Sequence, residues 1–334
     1  MNEQSLPLSA LDAYAPVQSE KADALLKAAL DQHRDKIVVI DDDPTGVQTV
    51  HDVHVYTDWT EQSILEGFEE ENRMFFLLTN SRSMTQKETR EVHEKIARGV
   101  IKASRATGKP FVIISRSDST LRGHFPLETE TLRREIERAG EPPYDGEILC
   151  PFFCEGGRYT LGNVHYVREG DRLTPAGDTE FARDRSFGYT HSRLDEWCEE
   201  KTGGAYPASA TTCIPLEMLR DLDVDGVSRL LENVRGFGKV VVNAAAYEDV
   251  KVFLAGYLKA RAAGKRFLFR TAAAVPKLLG GVSDKPLLTR GELVSGNSQI
   301  GGLIVAGSHV QKTTDQLAEL TALLADLQRI EFHV

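Results

Sequence analysis

Asp41, Asp42 and Asp43 stand in a row where an apolar run, Ile37-Val38-Val39-Ile40, gives way to Pro44-Thr45-Gly46. Three adjacent carboxylates repel one another, a cost to stability unless a cation, a proton transfer or a substrate hydroxyl makes use of them. A second cluster, Arg116-Ser117-Asp118-Ser119-Thr120-Leu121-Arg122-Gly123-His124, sets two arginines beside an acid and several hydroxyls. Asn80-Ser81-Arg82 adds a third arginine after another apolar run. The planar fork of arginine grips a carboxylate or phosphate through two bonds, and Asp118 with its neighbouring hydroxyls can hold sugar hydroxyls. Singly, each arginine reads as a surface ion pair and Asp-Pro-Thr as an acidic turn. Together they point to a pocket for a small anionic polyol. His51, His54 and His124 read as structural.

These residues need strand ends to hold them. Ile37 to Ile40 reads as a fully buried strand of a parallel sheet, and the triplet with proline stops it. At the carboxyl ends of such strands open α/β sheets bind their ligands. Further strands are predicted over 53–57, 74–79, 111–115, 147–150, 239–243, 266–270, 302–306 and 330–334. Helices are predicted over 19–33, 61–71, 85–105, 127–139, 224–234, 247–263 and 311–324, with Thr85 and Glu88 spaced as a capping box. The middle third reads as a β excursion over 156–167 with short helical pieces over 181–189 and 193–201.

The alternation implies an α/β fold: a doubly wound, mostly parallel, Rossmann-like sheet, with the beginning of a second α/β domain at the C-terminus. The divisions read as an N-terminal extension with its helix (1–35), a first α/β domain (36–276), a linker with glycines and prolines (277–300) and the start of a second domain (301–334).

Composition narrows the field. The chain has 334 residues, 41% hydrophobic and 27% charged, with a formal net charge of -10, which argues against a general nucleic-acid binder. No apolar run reaches the ~18 residues of a membrane span, and the first residues lack the basic start and apolar core of a secretory signal. A cytoplasmic location is expected, with Cys150, Cys154, Cys198 and Cys213 as reduced thiols; Cys150 and Cys154 have no second pair or histidine at metal-site spacing. Neither a P-loop nor a dinucleotide fingerprint is present. The turn Gly307-Ser308 before the last helix offers a small phosphate cradle.

In combination, Asp41-Asp42-Asp43-Pro44-Thr45-Gly46, Ser115 to Gly123, Pro151 with Glu155-Gly156-Gly157-Arg158 and Gly162, and Gly307-Ser308 with Thr314 and Gln316 resemble the four-carbon acid sugar kinase family. The resemblance runs from about Lys36 to the end. Pro44, where many relatives have an aromatic residue, and Arg116, where many have lysine, mark a divergent branch. It implies an N-terminal sugar-acid domain, a C-terminal nucleotide domain, and transfer of phosphate from ATP, with Mg²⁺, to the terminal hydroxyl of a threonate, erythronate or 3-oxo-tetronate. Asp42 and Asp43 would be catalytic, one accepting the hydroxyl proton or holding the metal. Asp41, Thr45, Gly46, Ser81, Arg82, Arg116, Asp118, Ser119, Arg122, Gly123 and Arg158 would bind the sugar acid, and Gly307 and Ser308 the nucleotide.

The glycine-rich nucleotide segment of those relatives is absent, so the chain is expected to carry mainly the sugar-acid half and to bind ATP weakly. Its expected partners are a small-molecule sugar acid and either further copies of itself or a missing nucleotide-binding half, with no nucleic acid and no membrane. The rival readings are a non-catalytic sugar-acid-binding module, one half of a two-chain kinase, and, more remotely, an oxidoreductase of hydroxy acids.

Overall fold

A computed structural model describes residues 4–294, 302–308, 310–324 and 326–331. In chain order the elements begin with β1 (Leu6–Pro7), α1 (Ser19–Gln32), β2 (Lys36–Asp41), β3 (Val55–Tyr56), α2 (Glu61–Glu69), β4 (Met74–Leu78), α3 (Gln86–Thr107), β5 (Phe111–Arg116), α4 (Leu127–Arg138) and β6 (Gly146–Cys150). Then come β7 (Arg158–Leu161), β8 (Val164–Glu169), β9 (Arg172–Pro175), α5 (Leu194–Lys201), β10 (Thr212–Ile214), α6 (Leu216–Arg220), α7 (Val224–Asn233), β11 (Gly238–Val242), α8 (Tyr247–Ala262), β12 (Phe267–Thr271) and α9 (Ala274–Leu279). Two helices complete the described chain, α10 (Arg290–Leu293) and α11 (Gln311–Leu323).

Eight strands form one sheet in the order β10-β11-β6-β12-β5-β2-β4-β3. Every pairing in it is parallel. The strand at the acidic triplet is therefore interior, flanked by β5 and β4, and all six of its residues are buried. Alternate residues serve opposite cores, as the period of two requires. Ile37 and Val39 pack toward α1, α8 and α9, while Val38 and Ile40 pack toward α2, α3 and α4.

A four-stranded antiparallel sheet, β1-β9-β8-β7, is built from the middle third. Leu6–Pro7 joins its edge, and Ala22 and Leu26 of α1 lie in the main core, so the N-terminal stretch belongs to the folded body.

The chain divides into two compact units, Met1–Asp284 and Lys285–Val334. The stretch read as linker from 277 opens inside α9, whose Leu278 and Leu279 are core residues; part of it, 295–300, lies outside the described residues. Two readings are corrected. Residues 302–306 form no strand: they pair with no other segment among the described residues, and with Leu303, Ile304 and Val305 exposed the run buries too little apolar surface to offset the entropy of ordering it. The piece over 181–189 is only a 3-10 turn, Glu180–Arg183. The 330–334 strand falls largely outside the described residues. The capping box is present: Thr85 Oγ1 accepts from Glu88 N at 3.3 Å, and Glu88 Oε2 accepts from Thr85 N at 2.8 Å.

Candidate functional site

Three strand ends meet at the carboxyl edge of the main sheet. The end of β2 is tied to both neighbours: Thr79 N and Oγ1 donate to the Asp41 carbonyl at 2.9 and 2.8 Å, and Asp42 N donates to the Arg116 carbonyl at 3.2 Å. Past it the chain turns on Asp43, whose Oδ1 accepts from Thr45 N at 2.7 Å and from the Thr45 hydroxyl. Gly46 N closes the turn on the Asp43 carbonyl at 3.1 Å. A Cβ on Gly46 would fall 1.4 Å from Asp41 Oδ2, so only glycine lets the turn lie against that carboxylate.

The three aspartates do not share one environment. Asp41 and Arg116 are register partners on adjacent strands, with Arg116 Nη1 3.4 Å from Asp41 Oδ1. Burial pushes the Asp41 carboxyl up to about 7, with Arg116 pulling the other way. Asp42 continues the opposite face and meets Arg82, whose Nη2 stands 2.6 Å from Oδ1 and whose Nε donates to Oδ2 at 3.3 Å. Burial raises Asp42 to about 6 even so. The same guanidinium reaches Asp43 Oδ2 at 3.0 Å and lies 3.9 Å from Asp118 Oδ1. Asp43 is the most open of the three; against the upward push of burial, bonds from Thr45 and the charge of Arg82 hold it below the usual carboxylate range.

Asp118 sits in the turn after β5. Its Oδ2 accepts from Arg122 Nε at 2.8 Å, from Arg122 N at 3.3 Å and from the Thr120 hydroxyl. Burial raises its pKa, but Arg82 and Arg122 outweigh it and hold the group ionised well below its usual range. Arg122 also approaches Asp184 at 3.8 Å, and its guanidinium lies 5.0 Å from the Phe181 ring. Arg158 faces the same ring at 5.6 Å and has a buried Nε with no hydrogen-bond partner. Gly123, at φ 115°, passes close to Asp42: a Cβ there would stand 3.1 Å from Asp42 Oδ2.

The structure thus brings together Asp42, Asp43, Arg82, Asp118 and Arg122, with Arg158 linked through Phe181. Asp41 and Arg116 are placed on the other face as a buried pair. Ser81 is fully buried and gives its hydroxyl to Glu128 Oε1 at 2.6 Å. Ser119 is held through its carbonyl, which lies 2.7 Å from His165 Nε2. Gly307 and Ser308 belong to the second unit; Ser308 Oγ accepts from Val310 N at 3.3 Å just ahead of α11. Among the described residues no group of three or more His, Cys, Asp or Glu side chains is arranged to hold a metal ion. Among them, too, no helix is long and apolar enough to cross a membrane.

Sequence reasoning missed Glu128, which looks like an ordinary first-turn acid of α4 and is instead buried beside Asp42. It missed Phe181 and Asp184, which carry no local signal. It also missed Arg270, although the strand-end rule that singled out Arg116 applies equally to β12.

Beside this cluster opens a cavity of about 780 Å³ whose lining includes Arg82, Arg90, Arg134 and Lys201 against one carboxylate, Glu130, with Gly123 and His124. In a chain of net charge -10, such a basic wall favours an anionic occupant.

Residues 37–279 match the family described as the sugar-binding N-terminal domain. No curated protein matches the sequence. Among solved structures, a domain of unknown function (DUF1537) from Bordetella bronchiseptica, crystallised with bound citrate as a domain-swapped dimer, is similar with a TM-score of 0.52 at 21% identity, over 73% of this chain and 55% of that one. A Haemophilus influenzae protein of the same DUF1537 family gives 0.51 at 16%, over 73% and 55%. A putative tRNA synthase from Salmonella typhimurium gives 0.50 at 15%, over 74% and 55%. At these identities the likeness is one of fold, and the chain spans 55% of the length of each of these proteins.

Proposed function

The chain belongs to the sugar-binding N-terminal domain family, and from that premise we propose that its strand-end site binds a four-carbon sugar acid and presents the terminal hydroxyl for ATP-dependent phosphorylation. One observation carries the reading. Arg82 bridges the carboxylates of Asp42 and Asp43 and approaches Asp118, so fixed positive and negative groups alternate across a few ångströms. Such alternation suits a ligand that is itself a carboxylate with a row of hydroxyls: arginine forks take the carboxylate, and aspartates accept from the hydroxyls. The citrate bound to the Bordetella protein is likewise a small hydroxylated carboxylate.

Phosphoryl transfer asks the protein for position and charge rather than for covalent chemistry. Asp42, near neutrality by virtue of burial, is suited to take the hydroxyl proton as the oxygen attacks. Asp43, ionised and the most open of the three, is the carboxylate suited to Mg²⁺, which is commonly held by one or two carboxylates together with substrate phosphates. When bound, Mg²⁺ and ATP supply the neutralised, electrophilic phosphoryl group. Arg122 and Arg158, both close to the Phe181 ring, are assigned to the acid end of the ligand, fixing its far hydroxyl.

The test is titration calorimetry of the chain with threonate and erythronate, followed by an assay for ADP and phosphorylated acid with ATP and Mg²⁺. Binding of at least one acid is the expected result. Failure to bind any four-carbon sugar acid sinks the reading; binding without phosphate transfer by any nucleotide-competent form leaves a non-catalytic sugar-acid module.

A further inference from the structure

The turn from Asp118 to Gly123 carries two charged groups of the site on a backbone that needs support. Leu121 sits at φ 70° and Gly123 at φ 115°. A left-handed leucine is costly and persists only where its surroundings hold it. Within the turn, Leu121 N donates to the Asp118 carbonyl at 3.2 Å and Arg122 N donates to Asp118 Oδ2 at 3.3 Å. The Leu121 side chain is buried in one cluster with Tyr189 and Trp197.

The carbonyls of the turn are held from outside it. His165 Nε2 lies 2.7 Å from the Ser119 carbonyl. The Tyr189 hydroxyl donates to the Thr120 carbonyl at 2.7 Å, with a longer approach of 3.3 Å to the Ala176 carbonyl. Arg270 Nη2 donates to the Arg122 carbonyl at 3.0 Å. A carbonyl only accepts, so His165 Nε2 carries a proton. Burial pushes the imidazole down to about 4, so near neutrality the ring is uncharged, and Nδ1 accepts from the Thr160 hydroxyl at 3.0 Å.

His165 is itself anchored on regular structure. Thr160 and His165 are register partners on β7 and β8, and neither has any exposed surface. Thr160 exchanges two backbone bonds of 3.0 Å with Ala244, just past β11, and His165 N donates to the Ser192 carbonyl at 2.8 Å. The imidazole is thereby tied to the end of the main sheet as well as to the antiparallel one.

We propose that His165 and Tyr189 are positioning residues: through donors to the Ser119 and Thr120 carbonyls, they fix the turn that aims Asp118 and Arg122 into the site. This gives the antiparallel sheet a role in ligand binding although its strands lie outside the main sheet. What the turn binds rests on the sugar-acid reading; the holding of the turn does not.

The test compares His165→Leu, His165→Gln and Tyr189→Phe with the wild-type full chain, by amide hydrogen exchange and by calorimetry with threonate and erythronate. Exchange at Leu121 and Arg122 is read against Ile113 in the buried β5, so that a general loss of stability does not count. Loss of either donor, by His165→Leu or Tyr189→Phe, is expected to speed exchange at both turn amides about tenfold relative to Ile113 and to weaken sugar-acid binding about tenfold. His165→Gln returns an amide donor and is expected to restore both; leucine, apolar and of similar bulk, is not. A wild-type exchange ratio in folded Tyr189→Phe or folded His165→Leu overturns the proposal. So does a glutamine variant no better than leucine, which would make His165 a packing residue. Loosened turn amides with unchanged acid affinity overturn it too, since the turn would then not aim the ligand groups. A wild-type chain that binds neither acid removes the ligand reading instead and leaves exchange to decide the role. Should His165→Leu not fold, His165→Asn, whose amide is one methylene shorter than that of glutamine, takes its place.

Discussion

The side chains of Asp41 and Asp42 leave one strand end toward opposite faces of the sheet, Asp41 toward Arg116 at 3.4 Å and Asp42 toward Arg82 at 2.6 Å. Neighbours in the chain thus titrate in separate surroundings, and substitutions at the two positions should have different consequences.

The first consequence is in stability against pH. Burial raises Asp41 to about 7 in the folded chain, above its unfolded value, so its contribution is intact below about pH 4 and lost as pH rises through 7. Asp41→Asn removes that loss. Its unfolding free energy should therefore gain on the wild type between pH 5 and pH 8. Urea denaturation at both pH values, with a gap that stays constant or moves the other way, would show that Asp41 is ionised throughout.

Asp42→Asn and Asp43→Asn separate two chemical roles. Asp43→Asn should keep sugar-acid affinity while weakening the effect of Mg²⁺ on nucleotide-dependent phosphate transfer. Asp42→Asn should lower transfer by about 10²-fold or more, as expected for a lost general base. Full transfer activity in the double variant would end the assignment of either residue to chemistry.

Gly46→Ala isolates the packing of the turn. Its Cβ would meet Asp41 Oδ2 at 1.4 Å, a clash that only displacement of the turn can relieve. A loss of about 1–3 kcal/mol is expected, measurable by thermal unfolding. Gly302→Ala, where an added Cβ meets nothing within 4 Å, serves as the control and should change little.

Lys239 and Glu147 form a pair with no exposed side-chain surface, and the Lys239 ammonium also lies 3.8 Å from the Tyr206 ring and 4.0 Å from Phe237. Removing either partner alone, by Lys239→Met or Glu147→Leu, should cost about 3–5 kcal/mol by stranding a buried charge, whereas the double replacement should cost far less. Equal and additive losses in urea unfolding would contradict this.

Much was legible from local pattern alone. β-branched runs stopped by Asp, Pro, Asn or Gly mark strand ends, and the capping spacing at Thr85 and Glu88 marks a helix start, because both signals lie within a few residues of chain. Hence the parallel α/β class and the clustering of Asp42, Asp43, Arg82, Asp118 and Arg122 could be read without coordinates. The tertiary structure decided which of those residues face one another. It turned Ser81 away to the buried Glu128, set Asp41 with Arg116 behind the sheet, and brought in Arg270 from a strand far along the chain. It also left the apolar run at 302–306 unpaired. The reason is common to all four. A strand's side chains alternate by a local rule, but which partner lies across a face, and whether a strand has an edge to pair with, depends on contacts between distant segments that no short stretch of sequence encodes.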